Sequence, residues 1–480
     1  MELIRYRYTG NFLPLIILLA GVLILAGCPN PNGPDNTPLV EELPPADESP
    51  PVEELPPVEE LPPADESPPV EEPPLTEEPS PVENEWLGKI FDTGLPVMKI
   101  NTSGRGITST DIWVEEVSYS IFDTNGVEVS KGETAIKGRG NATWGMPKKP
   151  YSLKLSNKTS LLGISEHKRW ALLANYSDKT LLRTEVAFKM GEILDNLAWT
   201  PRSVQVDLYL NDEYQGVYQL TEAIKIDTNR VNIEEIKKSK PDKGYILEID
   251  VRRGEIFNFT TTRGVVFCCS DPDDELDKVI NGDITLFEKI KADVQHAEDV
   301  LYSDNFSDPT NGYQKYLDIN SFVDWYLVNE ITKNNDAIFF SSVYMYYDPV
   351  KGKYCMGPLW DFDISSGNVD YNGNDSPSGF WIKNSAWIAR LFEDPYFVIM
   401  LQNRWNAKKF DLNADVQKYI DDRSNYLNKA QDVNFKRWDI LNTYVWPNAI
   451  VTGSYQGEIA YLKSWLNNRM VWLNTEINGL

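Results

Sequence analysis

The residues best equipped for chemistry sit between 326 and 368. Asn334-Asn335-Asp336 follows a stretch with helical apolar spacing. Two β-rich runs come next, 339–347 and 353–359, joined by Asp348-Pro-Val-Lys-Gly352, and the second ends at Trp360-Asp361-Phe362-Asp363. A short hairpin brings its two ends together, so Asp336 and Asp361/Asp363 are expected to share one cleft. Two or three converging carboxylates with few cations nearby in sequence suit a hard divalent cation. The ligand such a site points to is a nucleoside triphosphate.

Phosphates would also need donors and cations, and the chain offers them upstream. Ile136-Lys-Gly-Arg-Gly-Asn-Ala-Thr-Trp144 places Gly138 and Gly140 on either side of Arg139. Such a segment lets the backbone approach a ligand closely, although a lone GxG is equally a hairpin turn. Lys154 lies in the alternating run Tyr151-Ser-Leu-Lys-Leu155, on the same strand face as Ser152. It is suited to bridging phosphate oxygens, and equally suited to a solvated strand face. Glu185, on the first turns of a helix predicted over 181–194, is a partner for Lys154 or a carboxylate favoured by the helix dipole. Glu222, Glu248 and Asp250 stand at strand ends, where they line a cleft or an edge.

The elements that must position these groups change character along the chain. From 86 to 275 the pattern is β-like, with hairpin signals at Asp123-Thr-Asn-Gly126 and Asn211-Asp212. From 276 to 480 it is mostly helical, with amphipathic stretches at 283–302 and 318–332 and helices predicted over 395–406, 413–434 and 455–478. The fold class this implies is α+β, a β-rich lobe over 86–275 and a helix-rich lobe over 276–480 with a cleft between them.

The N-terminus belongs to neither. Arg5 and Arg7 precede the apolar run 12–25, which ends Leu-Ala-Gly-Cys28. Residues 1–28 read as a secretory signal, and the cysteine at the cut resembles the lipobox of bacterial lipoproteins, with Cys28 lipidated. The expected location is therefore exported and membrane-anchored at the cell envelope, through a lipid. Residues 29–85 are built from Pro and Glu. Asp35 to Glu85 holds 17 acidic residues and no Lys or Arg, leaving −9 of the chain's net charge of −26 for the remainder. Such a segment cannot bury a core and serves as an extended spacer. Nothing in this composition calls for a nucleic-acid partner. The remaining cysteines, Cys268, Cys269 and Cys355, lack zinc-ligand spacing and are expected as buried free thiols or one long-range bridge. His167 and His296 sit in no catalytic motif, which disfavours a His-dependent hydrolase.

Several stretches resemble the spore coat protein H (CotH) family in the family's order: KGRGNATWGMPKKPYSLKL, RWALLANYSDKTLLRTEVAFKMGEIL, VDLYLNDEYQGVYQLTEAIKI, NEITKNNDAIFFSSVYMYYD and GPLWDFDISSGN. The resemblance runs from about Pro96 to the C-terminus. It implies a two-lobed atypical protein-kinase-like fold, ATP with Mg²⁺ or Mn²⁺ as cofactors, and Ser/Thr of exported or surface proteins as acceptors. Carried over residue by residue, Gly138–Gly140 stands for the glycine-rich loop, Lys154 for the strand lysine and Glu185 for the glutamate that orients it, with Glu222 among the cofactor-binding residues. Asp336 becomes the acceptor-side carboxylate, Asp361 the metal-holding Asp, and Asp363 a second carboxylate. The position of a kinase's second metal ligand, an Asn five residues after the catalytic Asp, is Ser341 here, and Asn334 replaces the usual His.

Two other readings compete. The anionic spacer equally suits a non-catalytic adhesion or assembly protein that displays a degenerate nucleotide site. The loop Asp370-Tyr-Asn-Gly-Asn-Asp375 looks like a metal loop but lacks EF-hand spacing, and no pair of carboxylates is singled out as a glycosidase pair.

Overall fold

The computed structural model describes residues 85–254, 256–272 and 284–480. Cys28, the signal segment and the Pro/Glu-rich stretch up to residue 84 lie outside the described residues. The chain is α+β, with two separate sheets and eight α-helices among the described residues.

The β-rich first part closes on itself. Strands β1 (Val97–Asn101), β2 (Val114–Phe122), β3 (Glu128–Gly138), β4 (Tyr151–Leu161), β5 (Ile164–Leu173), β6 (Ser203–Leu210) and β7 (Glu213–Glu222) form a barrel in the order β1-β2-β3-β4-β5-β7-β6. All neighbours are antiparallel except β1 and β6, whose parallel pairing seals it. Alternation along the strands sends Met98, Ile121, Leu153, Trp170, Leu172 and Leu208 inward to a core of their own. A one-turn helix, α1 (Ala142–Gly145), follows β3, and α2 (Arg183–Leu194) crosses between β5 and β6.

The second sheet draws strands from both halves of the chain. β8 (Tyr245–Ile249), β9 (Asn258–Thr260) and β10 (Val266–Asp271) join β11 (Val343–Asp348) and β12 (Lys353–Met356) in the order β12-β11-β8-β10-β9. β11 and β12 are the hairpin expected from the sequence, paired from Met345↔Met356 to Asp348↔Lys353. β8 lies in the middle, with Ile249 opposite Val343. That register carries residue 251 alongside the chain that leads into β11, where Val251 N–H donates to the Phe340 carbonyl at 2.9 Å.

Helices α3 (Thr285–Leu301), α4 (Ile319–Thr332), α5 (Ala386–Leu391), α6 (Pro395–Tyr426), α7 (Asn428–Arg437) and α8 (Tyr455–Asn478) share one apolar core with α2 and the second sheet. α6 runs unbroken through 407–412, where a gap between two helices was expected. That stretch, Ala-Lys-Lys-Phe-Asp-Leu, contains no Gly or Pro to end a helix, and Leu412 packs inward. Almost every residue of α4 is buried, polar ones included, because it lies between α2, α6 and α8. Among the described residues no helix is long and apolar enough to cross a membrane. Cys268, Cys269 and Cys355 are buried free thiols.

Candidate active site

A cavity of about 820 Å³ opens where the end of β3, the turn after β8, the end of α4 and the segment after β12 meet. Gly138, Arg139, Gly140, Asp336, Asp361 and Asp363 all line it, as do Glu248, Asp250 and Arg252.

The acidic side chains are held by local turns. α4 stops at Lys333, which adopts a left-handed conformation (φ 48°) and breaks the helix. The single 3₁₀ turn Asn335–Ala337 that follows presents Asp336, and the Asn334 side chain caps it by accepting from the Asp336 N–H at 3.4 Å. The Asp336 carboxylate accepts from Asn335 Nδ2 and from Ser341 Oγ, each at 3.0 Å. Asp361 is a non-glycine residue with φ 64°, a strained conformation of the kind concentrated at functional sites. Its carboxylate accepts from Ser342 Oγ at 3.1 Å, and its carbonyl from Asn334 Nδ2 at 3.4 Å. The carboxylates also feel one another. Burial, then the charge of Asp361, pushes the Asp336 carboxyl above the ordinary carboxylate range. Burial pushes Asp363 well above it, reinforced by Asp361, Asp178 and Asp336. Like charges gathered in a low-dielectric cleft are what a bound cation would relieve.

The lining is also basic and aromatic. The Arg139 guanidinium packs over the Trp360 ring at 4.9 Å and lies in the field of Asp361, Tyr344 and Glu248. Arg252 leaves the turn after β8, gripped by Asp250 through Nε–Oδ1 at 3.0 Å and Nη2–Oδ2 at 3.3 Å. Lys137 and Arg169 sit over the Trp113 ring at 5.1 and 5.2 Å. The two glycines have local reasons to be glycine. A Cβ on Gly138 would come within 2.5 Å of the Trp144 ring, and Gly140 has φ 77° with Thr143 Oγ1 2.0 Å from the position of a Cβ. Both pack the α1 turn against the end of β3.

Four residues expected at this site lie outside the cavity lining. Lys154 is exposed on the outer face of the barrel, opposite Arg169 and Ala135 in the neighbouring strands. Glu185 is turned toward α6, with Arg423 Nε at 2.9 Å and Tyr419 Oη donating at 2.8 Å, and with Gln205 Nε2 at 3.3 Å. The structure therefore does not bring Lys154 and Glu185 together. Glu222 is wholly buried, accepts from the Arg202 N–H at 2.9 Å and pairs with Arg230 at 3.9 Å. Ser341 is buried beneath Asp336 and holds it, where the resemblance had placed a metal ligand.

Other residues carry roles that the sequence did not announce. The loop after Asp370 is closed around a built-in cation: Lys333 Nζ donates to the carbonyls of Gly373, Ser376 and Ser378 at 2.7, 3.1 and 2.9 Å. An ammonium thus takes up three of the carbonyl oxygens that a metal loop would use. Burial brings its pKa down to about 8. Tyr371 and Trp446 stack at 6.1 Å on the cavity wall. Asn335 links that wall to the Asp336 turn, accepting from Asn372 and Asn374 at 3.1 and 3.2 Å while donating to Asp336. Arg252 had a weak sequence signal, being one of a pair of arginines two residues beyond a strand-end acid.

No three carboxylate, imidazole or thiol groups among the described residues form a cage able to hold a metal ion by themselves. Mg²⁺ is ordinarily bound by one or two carboxylates plus substrate phosphates and water, without a complete protein cage. The hard-oxygen set of Asp361 and Asp363 beside Asp336 fits that mode. The chain matches the protein family described as CotH kinase protein over residues 136–473, which runs from the end of β3 into α8 and includes Gly138, Arg139, Gly140, Asp250, Arg252, Asp336, Asp361 and Asp363. No curated protein matches the chain.

Proposed function

We propose that this chain, which belongs to the CotH kinase protein family, is an atypical protein kinase that transfers phosphate from ATP, with Mg²⁺ or Mn²⁺, to Ser or Thr of exported proteins. The observation that carries the reading is the convergence of Asp336, Asp361 and Asp363 in a cleft that Gly138, Arg139 and Gly140 also line. On this reading the barrel and the helical part act as the two lobes of a kinase-like fold. The N-terminal signal, Cys28 and the Pro/Glu spacer tether the head at the cell envelope and hold it off the membrane.

Each residue then has a task set by its surroundings. Asp361 and Asp363 would hold the metal, which when bound screens the phosphate charge. Asp336 accepts the proton of the acceptor hydroxyl as the hydroxyl oxygen bonds to the γ-phosphorus and the bond to the β–γ bridging oxygen breaks, releasing ADP. Its raised pKa makes it a stronger base than an ordinary carboxylate, and Ser341 and Asn335 fix its direction. Arg139, braced on Trp360, offers its charge to the phosphates.

Labelled ATP and divalent metal should label the protein or a co-exported partner. Asp336→Ala is expected to cut transfer by roughly 100-fold or more while retaining nucleotide binding. Equal transfer by that variant refutes the assignment. Metal-dependent nucleotide binding without any transfer by the wild type would identify a binding protein instead, a reading that Ser341 favours by leaving the site short of one ordinary metal ligand.

A further inference from the structure

The cleft needs a cation on the phosphate being transferred, and Lys154, expected there from the sequence, lies outside it. We propose that Arg252 fills this role, gripping the terminal phosphate between the glycine segment and the catalytic acids, with Asp250 as its positioning residue. The inference rests on the kinase reading above and adds a residue that the family resemblance did not supply.

Several independent contacts aim Arg252 at that place. Asp250 fixes the turn by accepting from the Arg252 N–H at 2.8 Å and holds the guanidinium through two further bonds. Arg253, next along, is anchored away from the cleft on Asn258 Oδ1 at 2.9 Å and Thr260 Oγ1 at 2.6 Å, so neighbouring arginines are sorted to different jobs. The turn is tied to the catalytic loop through Val251 N–H and the Phe340 carbonyl. On its other side, Asn141, with its amide oxygen turned to accept, lies 2.7 Å from Arg252 Nη1. The guanidinium thus spans from the end of the glycine segment toward Asp336 and Asp361, whose charges it feels together with that of Asp250. It forms an ion pair with neither of those two acids.

The chemistry suits a guanidinium. A fork gripped along one edge by a carboxylate keeps further N–H groups for a second planar or tetrahedral oxyanion, which a lysine held the same way cannot do. As the γ-phosphoryl group leaves the bridging oxygen and bonds to the acceptor oxygen, its non-bridging oxygens stay anionic throughout. A fixed cation on them requires no proton movement of its own. Asp250 opposes the cation's charge but fixes its direction.

The discriminating measurement compares affinities for ADP and for a non-hydrolysable ATP analogue, both with Mn²⁺, in wild type and in Arg252→Ala, Arg252→Lys and Asp250→Asn. Arg252→Ala should weaken the triphosphate analogue at least tenfold and ADP less than twofold. Arg252→Lys should recover part of the analogue's affinity, with kcat still well below wild type. Asp250→Asn should lower kcat more than it weakens the analogue. Equal weakening of both nucleotides by Arg252→Ala, or of neither, overturns the assignment and marks the Asp250–Arg252 pair as a local brace. Should Arg252→Ala melt far below wild type, Arg252→Lys carries the test: affinity and kcat both unchanged would overturn it. A wild type that binds neither nucleotide removes the kinase reading itself, and this assignment with it.

Discussion

If the acids in the cleft are kept for a cation, replacing one should stabilise the protein when the cation is absent. Asp363→Asn tests this most sharply. Its carboxyl is pushed up by burial and by three like-charged neighbours, Asp361, Asp178 and Asp336, against which a hydrogen bond from the Ile364 backbone works. Asparagine keeps an acceptor for that backbone group and removes the charge. Relieving such a strained functional group is commonly worth about 0.5–2 kcal/mol, or a Tm rise of about 1 °C per kcal/mol for a compact unit that runs from Ser80 to Leu480. The sign against pH follows from linkage. A carboxyl whose folded pKa is raised above 3.8 binds its proton more tightly when folded, so the wild type loses stability as pH climbs from the unfolded value through the folded one. The variant does not, so the two should melt alike in acid and separate progressively toward alkaline pH, measured in chelator. Adding Mn²⁺ and nucleotide should reverse the order of response: ligand at 100 times its Kd stabilises the wild type by about 2.7 kcal/mol, and the variant by distinctly less. A variant that melts below wild type at pH 8 in chelator, or that gains as much from metal and nucleotide, would refute the reasoning.

Two further substitutions separate the cleft from its supports. Lys333→Met leaves the carbonyls of Gly373, Ser376 and Ser378 without their donor, at a cost of about 2–3 kcal/mol. Hydrogen exchange across 370–380 should quicken, and unchanged protection there would show that the ammonium is not what closes the loop. Lys154→Ala, outside the cavity, should leave phosphate transfer within about twofold of wild type, whereas Glu185→Gln, by breaking the buried pair with Arg423, should cost about 3 kcal/mol of stability with nucleotide affinity intact. A large loss of affinity in either variant, measured by titration, would return the pair to the active site.

The contrast between Asp336 and Lys154 shows what kind of information the sequence held. The β11–β12 hairpin is local. Its turn chemistry lies in five consecutive residues, and the convergence of Asp336 with Asp361 and Asp363 follows from it without knowledge of the rest of the fold. The alternation of β4 correctly puts Lys154 on the face of Ser152, and Ser152 does line the cleft. Two residues along a strand, however, is about 6.6 Å, enough to carry Lys154 past the cleft's edge. Periodicity fixes a side chain's face but not where along the strand the ligand ends. The surroundings of Glu185 are hidden from the sequence for a related reason. α2 is buried on nearly all sides, and a helix without a single apolar stripe gives no hint that this carboxylate would turn toward α6, more than 200 residues downstream.

The side chains that touch Asp336 are local, Asn334, Asn335 and Ser341, but the contacts that hold the end of α4, from which its turn departs, come from far along the chain and left no mark in the sequence. Glu330, one turn before the end of α4, accepts from the backbone N–H groups of Trp381, Ile382 and Lys383 and from Arg469 Nη2 at 2.7 Å. Arg469 in turn donates to the carbonyls of Pro377 and Gly379 at 2.8 and 2.7 Å. Lys333 binds the same loop from the other side, and Asn335 binds Asn372 and Asn374 within it. The segment 371–383 is thereby fastened to the end of α4 at several points, by a buried charge pair and by hydrogen bonds that shift together if either element moves. A buried pair of this kind is a poor source of net stability, since desolvation offsets most of the attraction. What it supplies is a fixed relation between α4, the Tyr371 wall and α8, and that relation holds the turn that carries Asp336 in one geometry. Sequence patterns reveal residues that act through local chemistry. A side chain whose function is to hold another in place becomes visible only when the fold brings the two together.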